Sequence, residues 1–311
     1  MIKRTLYFGN PAYLSRKNDQ LVIRLPEVEK NDTLPETFKK EAQATVPIED
    51  IGVVILDDQR IVITQSLIEG LLENNVALVT CNKSHHPTGL MLNLAGNQLQ
   101  SAKFQAQVTA TQPLVKQLWQ QTIKAKITNQ AQLLKRLGNE AGNLFRWAAD
   151  VRSGDPDNLE ARAAVYYWKN LFPEIKDFRR EREGPPPNNL LNYTYAILRA
   201  IVARNLVGSG LLPTLGIHHR NQYNHYCLAD DIMEPYRPFA DALVVEIIRN
   251  GEDFQELGPS VKRQLLGVAT VDVLMDGERS PLMVAAQRTT ASLARCFEGN
   301  SKKLLCPTLP V

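Results

Sequence analysis

The chain has 311 residues, 44% hydrophobic and 22% charged, with a formal net charge of +3 and a pI near 8.6. That length holds one large or two ordinary domains, and the apolar content excludes a disordered chain. The nearly balanced charge does not demand a polyanionic partner, but it permits one if the basic residues are segregated.

Read from the start, MIKRTLYFGN has no apolar core of the kind a secretory leader carries. TLYFGN, AYLSRK, QLVIRLP, TVPIED, IGVVILD, RIVIT and NVALVTC are short, β-branched or aromatic runs broken by turn formers, and they read as strands. LIEGLLENN puts its apolar residues at helical spacing and predicts one helix from Ser66 to Asn75. These elements make a small β-rich domain over residues 1–92. NLAGNQLQSAK is polar and glycine-containing, and it reads as a hinge, with the linker at 93–102.

From about Asn97 the apolar positions recur three and four apart. LVKQLWQQTIKAKI, QAQLLKRLGNEAGNLFRWAADV and LLNYTYAILRAIVARNLVG are amphipathic helices. In the last, Leu191, Tyr195, Leu198, Val202 and Leu206 share a face, and Gly208 is the expected stop. FRREREGPPPNN is charged and proline-rich and reads as a loop. SVKRQLLGVATVDVL and LMVAAQRTTASLARCF supply further helices, and the tail GNSKKLLCPTLPV is expected to be ordered only if docked. The expected class is α+β, a small N-terminal β-rich domain followed by a larger all-α-helical domain at 103–311.

No apolar run approaches the ~18 residues of a membrane span. Cys81, Cys227, Cys296 and Cys306 stand far apart with no CxxC pair, as in a reduced cytoplasmic protein. There is no repeat, no Walker loop and no GxGxxG. No acidic residue falls between Glu73 and Glu140, while Lys83, Lys103, Lys116, Lys124, Lys126, Lys135 and Arg136 do. That run is either a surface that tolerates polyanions or a solvated helix pair.

Three segments carry the chemistry. In DPDNLEARAAVYYW, Asp155 suits an N-cap and Pro156 the first helical position, which puts Glu160 in the second turn. An acidic residue there is ordinary by itself, but its apolar neighbours Leu159 and Ala163 call for a partner. In GIHHRNQYN, His218 and His219 leave a turn shaped by Pro213 and Gly216 and point different ways, so one ion cannot take both. In LADDIMEPYRP, Asp231 and Glu234 are three apart and face one side of a helix, with Pro235 and Pro238 bending the chain beyond them. Together Glu160, His219 and this acidic pair make a hard divalent site suited to phosphodiester chemistry, with Mg2+ or Mn2+ as the ion. A zinc alternative built on His218, His219, His225 and Cys227 matches no familiar spacing.

The same residues carry a family resemblance. PIEDIGVVILDDQRIVITQSLIEGLLENNVALVTCNKSHHPTGLML, NLEARAAVYYWKNLFP, NNLLNYTYAILRAIVARNLVGSGLLPTLGIHHRNQYN and CLADDIMEPYRPFAD together resemble CRISPR-associated protein one, the spacer-acquisition integrase, in the form of type II systems. The resemblance implies metal ligands at Glu160, His219 and Glu234, which are the catalytic residues, with Asp231 at the accompanying acidic position. Ala161 departs from the glycine of many relatives but leaves the carboxylate in place. The resemblance also implies a homodimer formed through the β domains. The expected partners are a dimer of CRISPR-associated protein two, double-stranded DNA as prespacer and CRISPR repeat, and other type II adaptation proteins. The expected reaction is a transesterification by a DNA 3′-hydroxyl. Arg220, Arg179, Arg180 and Arg182 are candidate phosphate contacts or plain surface arginines. A metal-dependent nuclease without integrase activity and a non-catalytic DNA-binding scaffold are the alternatives.

Overall fold

The computed structural model describes residues 3–30, 35, 37, 39 and 42–310. Met1 and Ile2 of the segment read for a leader, and Val311 of the tail, lie outside them. The chain divides into two compact units, Met1–Gly96 and Asn97–Val311.

The first unit runs β1 (Arg4–Phe8), β2 (Tyr13–Lys17), β3 (Gln20–Arg24), α1 (Pro26–Glu29), β4 (Ala44–Pro47), β5 (Ile51–Leu56), β6 (Val62–Ile63), α2 (Gln65–Glu73), β7 (Ala77–Cys81) and β8 (Pro87–Met91). Two four-stranded sheets result, in the orders β1-β5-β7-β8 and β4-β3-β2-β6. β1, β5 and β7 are parallel, and β8 is an antiparallel edge. A parallel strand is covered on both faces, which explains why Ile51 to Ile55 are apolar or glycine without alternation and all buried. Asn18 and Asp19, both left-handed, make the two-residue turn between β2 and β3. The predicted helix appears as α2, capped by the Thr64 hydroxyl accepting from the Leu67 amide. Its Leu67 and Leu71 join Leu14, Leu21, Ile48, Ile51 and Val54 in one core.

The second unit runs α3 (Gln100–Val108), α4 (Gln112–Arg136), α5 (Gly142–Asp150), α6 (Leu159–Leu171), α7 (Asn188–Gly208), α8 (Cys227–Met233), α9 (Arg237–Arg249), α10 (Pro259–Leu266), β9 (Asp272–Met275), β10 (Glu278–Pro281) and α11 (Leu282–Phe297). α4 is one helix of 25 residues rather than two. The break comes at Gly138, whose φ of +83° ends it, so the predicted second helix splits into the end of α4 and α5. α7 ends at Gly208 as expected, with the left-handed residue at Gly210.

The unit is not all-helical. VDVL continues not as helix but as β9, after a short 3-10 turn, and pairs with β10 across Asp276 and Gly277, both of positive φ. An Asp-Gly dipeptide beside β-branched residues is a hairpin signal in its own right. The tail is docked. Thr308 bridges to Leu274, Leu304 and Leu309 are buried, and the Leu309 amide donates to Asn129 of α4. Among the described residues, no helix is long and apolar enough to cross a membrane. Cys81, Cys227, Cys296 and Cys306 form no disulfide.

Candidate metal centre

Four parts of the second unit supply the centre: α4, the start of α6, the loop after α7, and the junction of α8 with α9. Between Leu118 and Leu134 no residue of α4 is exposed, and four of its buried residues are polar, Thr122, Lys126, Asn129 and Gln130. A helix so enclosed must satisfy its polar side chains internally.

α6 starts later than predicted. Asp155 and Asn158 both have left-handed φ, and the helix begins at Leu159 rather than at Pro156. Asp155 still performs the capping chemistry, its carboxylate accepting from the amides of Leu159 at 2.9 Å and Glu160 at 3.0 Å. Glu160 therefore lies in the first turn, and its carboxylate meets Lys126 Nζ at 2.7 Å.

The same ammonium lies 2.6 Å from Oε2 of Glu234. Glu234 stands where α8 gives way to a 3-10 turn over Glu234–Tyr236, the bend expected from Pro235. On its other oxygen it meets Arg237 Nε at 2.9 Å. Burial opposes its charge, but Arg237 and Lys126 prevail and hold its pKa down at about 2. Burial likewise works against charge on Lys126, and Glu234 and Glu160 together raise its pKa above the ordinary lysine value.

Lys126 thus departs from the basic surface expected of its stretch. It is a buried cation at the meeting point of two acidic residues brought from distant segments. Nothing local in LVKQLWQQTIKAKI names its partners; the stretch also carries Lys116 and Lys124, and the one available signal is that Lys126 lies seven residues from Trp119 and so shares its face.

His219 is held from behind. Its Nδ1 donates to Oδ1 of Asp231 at 2.5 Å, and its amide approaches the same oxygen at 3.2 Å. The His218 amide donates to Oδ2 at 2.9 Å. Gly216 makes the approach possible: a Cβ there would meet the His219 carbonyl oxygen and lie 2.7 Å from Asp231 Oδ2. Asp231, expected as an accompanying metal position, is fully buried, and both of its oxygens accept hydrogen bonds from this loop. The hydrogen bond to Asp231 raises the His219 pKa above its usual value against the effect of burial, with Glu234 and Glu160 adding to it. Those last two contributions place the three predicted ligands within electrostatic reach of one another. His218 turns elsewhere and stacks on Trp119 with ring centroids 4.0 Å apart, while Trp119 meets His219 edge-on at 5.9 Å.

Among the described residues, no three His, Cys, Asp or Glu side chains form a group that could hold a metal ion. The cation on which two of the predicted ligands converge is the Lys126 ammonium. The donor set still fits a hard divalent ion: two carboxylates aimed at one point, an imidazole whose Nδ1 is committed and whose Nε2 remains, and a buried Glu234 Oε2 that lacks a well-aligned hydrogen bond despite its close ammonium. The zinc alternative gains nothing, since Cys227 Sγ donates to the carbonyls of Asn221 and Asn224.

A cavity of about 510 Å³ opens beside His219, and exposed Arg220 lines it with Thr214, Gly216 and Asn221. A second, of about 1060 Å³, is walled by Trp168, Phe172 and Phe178 and rimmed by Lys169, Lys176 and Arg179. Arg182 is exposed. Arg180 is committed to the chain: it donates to Glu181, Asn188 and Asn192, and it lies over the Tyr195 ring.

The family of CRISPR associated protein Cas1 matches residues 6–257. The chain belongs to the Cas1 family. A relative from Neisseria meningitidis serogroup C (strain 8013), named CRISPR-associated endonuclease Cas1, is 35% identical over 312 residues, covering 99% of this chain and 97% of that protein. A casposase bound to integration product shares the Cas1 fold seen here, with a TM-score of 0.73 at 20% identity over 98% of this chain and 92% of that one. A Cas6-RT-Cas1--Cas2 complex matches 98% of this chain, with a TM-score of 0.71 at 20% identity; this chain spans 36% of that longer one.

Proposed function

We propose that this Cas1-family chain is a metal-dependent DNA integrase that joins a DNA 3′-hydroxyl to a phosphodiester at a CRISPR repeat. The observation that carries the reading is the convergence of Glu160 and Glu234 on one cation position within electrostatic reach of His219. Glu160, Glu234 and Nε2 of His219 are the groups that would hold Mg2+ or Mn2+. The ion, when bound, supplies charge stabilisation at the phosphoryl oxygens.

The chain's own residues do the rest. Asp231 fixes the His219 ring and keeps its proton on Nδ1. Arg237 holds Glu234 ionised from the side away from Lys126. Arg220, Arg179 and Arg182 are exposed to take DNA phosphates, so affinity falls steeply with salt. Arg180 is withdrawn from that set by its internal bonds. The working unit is a homodimer through the β-rich units that assembles with a Cas2 dimer and other type II adaptation proteins in the cytoplasm. The complex in which a structural relative occurs supports the Cas2 partnership.

The test is a joining assay with labelled double-stranded DNA and a repeat-bearing plasmid, with and without Cas2. Glu160→Ala and His219→Ala lose joining while DNA retention on a filter persists; EDTA stops the reaction and Mn2+ restores it. Cleavage of DNA with no joined product would turn the assignment to a plain nuclease. Joining at the wild-type rate by either variant would remove the site assignment.

A further inference from the structure

Lys126 has no part in the proposed catalysis, yet its ammonium lies between Glu160 and Glu234. Its side chain is 11% exposed, and its Nζ lies 2.7 Å from Glu160 and 2.6 Å from Glu234. A hard divalent ion bound by those same oxygens would sit about 2.1 Å from each, so it would overlap the ammonium. Two cations cannot share that point. The contact with Glu234 is short but poorly aligned as a hydrogen bond, leaving the buried Oε2 only partly satisfied. A lysine ammonium is a point charge on a flexible four-carbon stem, so it can withdraw without moving α4.

We propose that Lys126 is the resident counter-cation of the centre, a positioning residue whose ammonium holds Glu160 and Glu234 together until a divalent ion displaces it. This rests on the metal reading of the site. The physical logic is that two carboxylates, one of them buried, would repel and part if left without a cation. The lysine keeps the pair formed in the metal-free protein, at the cost of competing with the metal for the same oxygens. Metal loading is then an exchange of cations, and affinity reports the difference between them. Arg237, which meets the other oxygen of Glu234, stays in place in both states.

The experiment is calorimetric titration of the full chain with Mn2+, comparing wild type, Lys126→Gln and Arg237→Gln, together with melting temperatures in EDTA and in saturating Mn2+. Lys126→Gln is expected to bind Mn2+ about tenfold more tightly than wild type. Its melting temperature should fall in EDTA and return to the wild-type value in Mn2+. Arg237→Gln removes an equal charge without vacating the metal position, so its affinity gain must be the smaller. Equal or weaker Mn2+ binding by Lys126→Gln overturns the proposal, as does an equal loss of melting temperature with and without metal. A Mn2+-soaked crystal with Nζ still between both carboxylates overturns it independently. If wild type binds no Mn2+ at all, the metal reading itself fails. The two failures are therefore distinguishable.

Discussion

His219 is locked to Asp231 through Nδ1, which lies 2.5 Å from the carboxylate, and the ring consequently offers only Nε2 to anything in front of it. The lock is assembled locally. Two successive amides and the ring all close on one buried carboxylate, and a glycine at position 216 leaves room for it.

Disturbing the lock should weaken Mn2+ binding through the orientation of the His219 ring. Asp231→Asn is expected to lower Mn2+ affinity about tenfold or more, the usual cost of losing a carboxylate behind a metal-binding imidazole. Gly216→Ala should act in the same direction, because its Cβ would lie 2.7 Å from Asp231 Oδ2 and force the loop to shift. Mn2+ titration of both variants checks this; unchanged affinity in Asp231→Asn would show that the pair does not orient the ring.

Acid should attack the metal-free protein through Glu234. Its pKa is held at about 2 in the fold, against an ordinary value of 4.5. A depressed carboxylate contributes stability that is present above the ordinary value and lost as pH falls from 4.5 towards 2. The loss is on the order of 3 kcal/mol. Urea unfolding in EDTA across pH 2–5 should show this slope in wild type and a flatter one in Glu234→Gln.

Asp241 works with the opposite sign. It is buried between Tyr167 and Tyr195, whose hydroxyls donate to it at 2.7 and 2.5 Å. Burial nevertheless raises its pKa from 3.8 to about 6. A raised pKa contributes stability that is complete below the ordinary value and lost as pH rises through about 6. Asp241→Asn should abolish this contribution, on the order of 3 kcal/mol, and gain on wild type above pH 6. The same unfolding series, extended to pH 8, measures it.

Asn129 ties the tail to the centre. Its amide nitrogen donates to the carbonyls of Pro235 at 2.8 Å and Pro307 at 3.0 Å, while its oxygen accepts from the Leu309 amide at 3.0 Å. Asn129→Ala strands three buried backbone groups and should cost about 3 kcal/mol or more. A fall in melting temperature, with faster proteolysis after residue 300, is the expected result.

Much of this was legible in the residues. The strands of the first unit and most helices of the second follow from periodicity and turn chemistry, while the grouping of Glu160, His219 and Glu234 is what the family resemblance implies. What was not legible depends on long-range packing. Asp231 reads as a ligand because its spacing to Glu234 is visible, whereas its bond to His219 needs the loop to fold back over Gly216. Lys126 reads as surface because a lysine in a polar helix is usually exposed; the enclosure of the middle of α4, from Leu118 to Leu134, is a property of the unit. The late start of α6 arises from two left-handed residues, Asp155 and Asn158, that let Asp155 cap from outside the helix. The β9–β10 hairpin was recoverable from Asp276-Gly277, and the helical pattern around it masked the signal.

Trp119, stacked on His218 and perpendicular to His219, gives the proposed centre a reporter of its own. An indole this close to His219 emits light in a field that should change if the proposed ion binds at that imidazole. Paramagnetic Mn2+ should quench that emission where diamagnetic Mg2+ does not. With Trp147 and Trp168 replaced by phenylalanine, occupancy of the centre could be followed in a cuvette, with no label attached and no DNA present.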